Sequence, residues 1–169
     1  MSTGVAPRMI WRILHGLWPI MPLSHQEVSD RFEIQDLLFH YADLIDRKEF
    51  DRLVTEVFTE DAHIDYSAVG GDVGGPEKIV EFLKATLGTI APNYQHLNAN
   101  IQIRVDGDRA TGRVMCFNPM EMDLGEAPHT FLLGLWYVDA YERTDAGWRI
   151  ARRVEEKSWV FNAPEGLNL

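Results

Sequence analysis

The stretch Phe32-Glu33-Ile34-Gln35-Asp36-Leu37-Leu38-Phe39-His40-Tyr41-Ala42-Asp43-Leu44-Ile45-Asp46 reads as one amphipathic helix. Ile34, Leu37, Leu38, Tyr41 and Ile45 recur at three- and four-residue spacing, which lines up one face of an α-helix. The two acids near its end differ. Asp43 falls in the row of Asp36 and His40, off the stripe, and is expected in solvent. Asp46 lies four residues after Ala42 and eight after Leu38, so it continues the stripe. Burying an ionised carboxylate is costly unless a partner compensates, so Asp46 needs a partner elsewhere in the chain. Upstream, Ser24-His25-Gln26-Glu27 has the form of a capping box, and the folded domain is expected to begin near Ser24.

Downstream, Glu49 to Phe58 reads as a short second helix with Phe50, Leu53, Val54 and Val57 on one face. Ala62-His63-Ile64-Asp65-Tyr66 alternates as a strand, which turns Tyr66 inward with a hydroxyl that needs a partner. Gly70, Gly71, Gly74 and Gly75 form a loop without phosphate-binding spacing, and Pro76 opens a third helix. Strands follow: Gln95 to Val105, the Asp106-Gly107-Asp108 turn, and Ala110 to Phe117. Asn118 to Ala127 reads as a polar loop or bulge. Phe131 to Arg143, apolar on both faces, is expected to be central, and Trp148 to Val160 is the last strand. Helices followed by strands predict α+β: a cone-shaped, curved antiparallel sheet with three to four helices on one face and a ligand pocket at its mouth.

The chain of 169 residues is of single-domain length, 46% hydrophobic, with a formal net charge of −10. That charge argues against nucleic acid and anionic membrane as partners. A single cysteine, Cys116, fits a reducing compartment, so a cytoplasmic location is expected. Cys116 lies in the apolar run Val114 to Phe117 and reads as a buried, inert thiol. Residues 1–23 read as an arm, flexible or packed on a neighbour, with Met21 as an alternative start. Residues 24–162 form the domain and 163–169 a tail.

The ordered set Tyr41-x-x-x-x-Asp46, Phe58-Thr59-Glu60-Asp61-Ala62, Tyr66, Gln95-His96, Val105-Asp106-Gly107-Asp108-x-Ala110 and Tyr137-x-Asp139-x-Tyr141-Glu142-Arg143-x-Asp145-x-Gly147-Trp148-Arg149-Ile150 resembles the SnoaL-like group of the nuclear-transport-factor-two-like superfamily. Scytalone dehydratase, bile acid 7α-dehydratase and lindane dehydrochlorinase are similar members. The resemblance implies elimination of a small leaving group from a compact ring substrate without metal or organic cofactor. It also implies an aspartate at the end of the first helix and a histidine at the start of the first long strand, which match Asp46 and His96, and pocket tyrosines that match Tyr41 and Tyr66. The chain departs from the pattern at Phe117-Asn118-Pro119-Met120, where scytalone dehydratase has a second catalytic histidine. Asn118 and Lys157 stand about where the bile acid enzyme has an aspartate and an arginine. By the same resemblance a homo-oligomer is expected, a trimer or alternatively a dimer.

A histidine titrating near neutrality suits a general base, and an aspartate on its second nitrogen would fix the tautomer. His96 is therefore expected to take a carbon-bound proton, with Asp46 and Tyr41 beside it. Tyr66, Asn118, Tyr137 and Lys157 are candidates for holding a small hydrophobic substrate. Strict alternation puts His96 with Asn98, Asn100, Gln102 and Arg104, on a face that is either solvent or a polar pocket wall; a bulge near Asn98 changes that parity. His63-x-Asp65 lacks a third ligand and points outward, so no metal site is expected. The expected activity is a lyase or isomerase of the dehydratase type. The alternatives are a non-catalytic ligand-binding or oligomerisation module, or a partner subunit of a larger oxygenase.

Overall fold

The computed structural model describes residues 22–167 apart from 124 and 126. The first twenty-one residues, with nearly all of the expected arm and the alternative start at Met21, lie outside the described residues.

Helix α1 runs His25–Asp46. It begins where the capping box requires: the Ser24 hydroxyl accepts from the Glu27 amide, and the Glu27 carboxylate accepts from the Ser24 amide at 2.8 Å. Such a cap contributes about 0.5–2 kcal/mol. The stripe is buried as the periodicity requires, with Ile34, Leu37, Leu38, Tyr41 and Ile45 all in the core. One acid joins them near the start. Asp30 is buried, which alone would push its pKa up, but hydrogen bonds from Arg143, Gln26 and Trp148 outweigh burial and hold it below the usual carboxylate range. These bonds tie the first turns of α1 to the far end of the sheet.

After α1 come a one-turn helix α2 (Arg52–Glu56), strand β1 (Phe58–Asp65), a 3₁₀ turn (Ser67–Val69), the short strand β2 (Val73–Gly74) and helix α3 (Pro76–Ala85). Then follow β3 (Asn93–Tyr94), β4 (Leu97–Asp106), β5 (Arg109–Asp123), β6 (Pro128–Thr144) and β7 (Gly147–Phe161). The sheet order is β2-β1-β7-β6-β5-β3, with β4 also on β5. All pairings are antiparallel except β1 with β7. This is the expected α+β architecture: a curved, unclosed sheet around α1 and α3, with the core between sheet and helices.

Two elements differ from the sequence-based expectation. The second helix is shorter than Glu49 to Phe58, because Phe58 already pairs with Ile150 as the start of β1. The predicted loop after Phe117 is mostly strand: β5 continues through Pro119 to Asp123, in register with β6. Pro119 is tolerated because its carbonyl accepts from Gln95, so its missing N–H faces the break between β3 and β4 and not β6.

Two bulges set which residues enter the cone. In β4 the register shifts between Ala99 and Gln102, with Asn100 at φ +47°. In β7 it shifts between Ile150 and Arg152. Each bulge reverses the inside–outside parity of the residues beyond it.

Outside the cone, Leu97, Phe117, Gly134 and Trp159 stand side by side across β4 to β7. The absence of a side chain at Gly134 lets the Trp159 indole lie across it; a Cβ there would sit 2.3 Å from the indole nitrogen. The indole thereby reaches the Phe117 ring at a centroid distance of 5.9 Å.

Candidate active site

Asp46 is the last residue of α1, where the helix leaves its final carbonyls without intrahelical partners. Tyr94 fills one of these places: its hydroxyl donates to the Ile45 carbonyl at 2.9 Å. That bond draws β3 against the helix end and brings His96, two residues on, beside Asp46. The His96 amide donates to one Asp46 oxygen at 3.1 Å, and ring Nδ1 lies 2.7 Å from the other. The backbone bond fixes the carboxylate, and the carboxylate fixes the ring. A carboxylate can only accept, so Nδ1 donates to Asp46, and in the neutral imidazole this leaves Nε2 as the nitrogen with the lone pair. Asn98 donates to the Leu38 carbonyl at 3.1 Å and pins the next inward position of β4 to the same helix.

The β4 bulge settles the parity of His96. It puts His96 and Asn98 on the inner face together with Ile103, which is buried, while Leu97 is exposed. His96 lies on the wall of a cavity of about 330 Å³ bounded by α1, α3 and the inner face of β5 to β7. This is the lower end of the range for small-molecule pockets. The wall is mostly apolar, with Ile45, Phe82, Leu83, Met120, Phe131, Leu133 and Leu135 among its residues. Leu167 from the tail also contributes. The His96 side chain is 8% exposed and that of Asp46 26%. His96 therefore presents to the cavity, while Asp46 borders an outer groove with Tyr94, Gln95 and Pro119.

Two hydroxyls line the same cavity as His96. The Tyr41 and Tyr66 oxygens are 2.7 Å apart, and both residues line the wall. This is the partner that the inward turn of Tyr66 required. Burial pushes the Tyr41 hydroxyl up to about 12, so both phenols are neutral donors at physiological pH. One proton of the pair is used between them, and the other is available to a ligand. Asn118 also lines the cavity, and its amide donates to the Gln95 carbonyl at 2.7 Å, bracing the strand that carries His96.

Two expected substrate-holding residues lie elsewhere. Tyr137 is fully buried behind the wall, edge-on to Tyr41 at 5.8 Å. Lys157 is exposed and off the wall, next to a second irregularity of β7 opposite Gly134 and Leu135. Cys116 is buried, and burial raises its thiol to about 12, which makes it a poor nucleophile. Among the described residues no group of three or more His, Cys, Asp or Glu is placed to hold a metal ion, and no helix is long and apolar enough to cross a membrane.

The structure adds residues that alternation did not reveal. The β7 bulge turns Arg153 and Glu155 inward. Arg153 is fully buried and donates twice to Asp139, at 2.9 and 2.7 Å, while Tyr141 donates to the same carboxylate at 2.8 Å. Its guanidinium lies between the rings of Tyr41 and Tyr137, 4.1 and 4.0 Å from their centroids. Glu155 lines the cavity itself.

Residues 26–154 match the SnoaL-like domain. A curated relative, the uncharacterized protein Rv2910c of Mycobacterium tuberculosis, is 50% identical over 135 residues, covering 80% of this chain and 90% of the relative. Among solved structures, a candidate scytalone dehydratase from Novosphingobium aromaticivorans superposes with a TM-score of 0.71 at 22% identity, over 81% of this chain and 89% of that one. LinA, a hexachlorocyclohexane dehydrochlorinase, superposes with a TM-score of 0.70 at 21% identity, over 84% and 94%. At such identities these two likenesses speak for the fold alone; the family match over most of the chain establishes its kinship. A helix-end aspartate and a strand-start histidine on a curved, unclosed sheet are thus carried by a chain that belongs to the SnoaL-like family.

Proposed function

We propose that the protein is a cofactor-independent lyase or isomerase of the dehydratase type, acting on a small, mostly apolar cyclic substrate such as a steroid, terpenoid, polyketide or aromatic fragment. The observation that carries this reading is the 2.7 Å contact between Asp46 and His96 Nδ1, with His96 on the wall of an apolar cavity. In this reading Nε2 removes a proton from carbon next to a carbonyl. Asp46 holds the tautomer and stabilises the imidazolium that forms. The Tyr41–Tyr66 pair donates to the oxygen on which charge develops. The names of the two solved relatives denote loss of water and of hydrogen chloride, which is the same class of reaction.

The test is conversion of 3-hydroxycyclohexanone to the conjugated enone, followed by ultraviolet absorbance. His96→Ala is expected to slow it on the order of 10²–10⁴-fold, and Asp46→Asn roughly 10²-fold, at unchanged fold. Equal rates for wild type and His96→Ala would end the proposal.

One observation favours a second reading. Among the described residues His96 is the only histidine on the cavity wall, so the second histidine of the dehydratase pattern has no counterpart there. A binding module would take up a cyclic ligand and release it unaltered, which mass spectrometry of the recovered ligand distinguishes. In either reading we propose self-association through the outer apolar row. Leu97 and Trp159 are 47% and 44% exposed, and the row supports a trimer or a dimer. Sedimentation of the full chain decides between these and a monomer.

A further inference from the structure

Glu155 is a carboxylic acid that the His96 chemistry leaves unused. It lies on the cavity wall, only 7% exposed, and no hydrogen bond reaches its carboxyl from the described residues. The cation that opposes its protonation, Arg153, makes no hydrogen bond to it. Arg153, two residues before it on β7, is committed to Asp139 by two hydrogen bonds and held between two aromatic rings. The buried Arg153–Asp139 pair is neutral as a unit, so it offers little net attraction to a third charge. The other groups around Glu155 do not favour its ionised form. They are the Asp65 carboxylate from β1, Asp139 from β6, and the neutral hydroxyls and thiol of Tyr41 on α1, Tyr66 after β1, Tyr137 on β6 and Cys116 on β5.

We propose that Glu155 enters the cavity protonated and is the acid that gives its proton to the departing oxygen of the substrate. The inference rests on the elimination reading and supplies the group which that reading lacks. His96 takes the proton from carbon, and the C–H electron pair becomes the new C=C bond. The C–O bond breaks with its pair on oxygen. The Glu155 O–H proton completes a water molecule, leaving a Glu155 carboxylate and a His96 imidazolium. Return of the imidazolium proton to Glu155 through the released water restores both. The substrate class narrows accordingly to cyclic compounds that lose a hydroxyl, a poor leaving group that needs an acid. Burial first, with Asp139 and Asp65 against the opposing Arg153, raises the Glu155 pKa to about 8, which agrees with a protonated acid at neutral pH.

The test uses the full chain with two substrates that form the same enone. 3-Hydroxycyclohexanone needs its leaving group protonated, whereas 3-acetoxycyclohexanone releases a stable carboxylate and does not. Glu155→Gln keeps size and polarity but has no proton to transfer. It is expected to slow the hydroxy compound about 10²-fold and to leave the acetoxy compound within a few-fold. Equal slowing of both, or of neither, overturns the inference. A [δ-¹³C]glutamate label gives a second readout: one carboxyl resonance titrating well above the ordinary range and absent from Glu155→Gln. No such resonance overturns it too. Loss of both reactions in His96→Ala, with equal effects in Glu155→Gln, rejects Glu155 alone; no conversion of either compound by wild type rejects the elimination reading with it.

Discussion

The cone contains two hydrogen-bonded clusters, each joining a carboxylate to a nitrogen base, and they are built to opposite ends. Arg153 and Asp139 are both completely enclosed, with two hydrogen bonds between them, a tyrosine hydroxyl on the carboxylate and an aromatic ring on each side of the guanidinium. Asp46 and His96 meet at the cavity's edge, with one ring nitrogen held and the other unclaimed. In the first cluster almost every polar atom has a protein partner; the exception is Arg153 Nη1. In the second the missing partner is on the cavity side. The closed cluster sets the shape of the wall, because Tyr41 stands directly on it. The open one is left with something to do.

This contrast breaks most visibly when the closed cluster loses one partner. Asp139→Asn leaves Arg153 charged and uncompensated in the core, and is expected to cost about 3–5 kcal/mol in urea unfolding. Replacing both residues with leucine is expected to cost less than either single change, since the stranded charge disappears with the pair.

The acid between the two clusters gives a pH dependence. The folded-state pKa of Glu155 is raised from 4.5 to about 8, so the folded chain holds a proton that the unfolded chain has released. Its contribution to stability is therefore fully present below about pH 4.5, and falls as pH rises through about 8. Urea midpoints between these limits are expected to decline in the wild type, and less so in Glu155→Gln. An unchanged slope in the variant would assign the decline to other groups.

A smaller effect separates the hydroxyl pair from both clusters. Tyr41→Phe or Tyr66→Phe leaves the remaining hydroxyl without its 2.7 Å partner and is expected to cost about 1–3 kcal/mol. The double change is expected to cost less than the sum, which a double-mutant cycle in urea measures.

How far the sequence revealed this arrangement depends on where the strands bulge. The α1 stripe needed no correction, since helical periodicity runs unbroken from Ile34 to Ile45, and Asp46 followed from the same spacing. Tyr66 was legible because β1 alternates through Ala62 and Ile64 to its end. The bulge in β4 was foreseeable as a possibility near Asn98, and the shift occurs at Asn100 and Ile101. The one in β7 was not. Trp148 and Ile150 face the core, so simple alternation sends Arg152 and Val154 inward; the extra residue at Ala151 sends Arg153 and Glu155 instead. Nothing local marks that site, since its neighbours form a run of ordinary strand residues. Pro119 misled in the other direction: it suggested a loop where the broken edge between β3 and β4 lets a strand pass.

The central claim is that His96 acts as a base on carbon inside the cone. The most direct measurement is deuterium uptake by 2-tetralone, a bicyclic ketone, in D₂O with wild type, Asp46→Asn and His96→Ala, followed by mass spectrometry. Wild type is expected to accelerate exchange next to the carbonyl, Asp46→Asn to do so weakly, and His96→Ala not at all. Exchange that His96→Ala catalyses as well as wild type, or that no form of the protein accelerates, would contradict the claim.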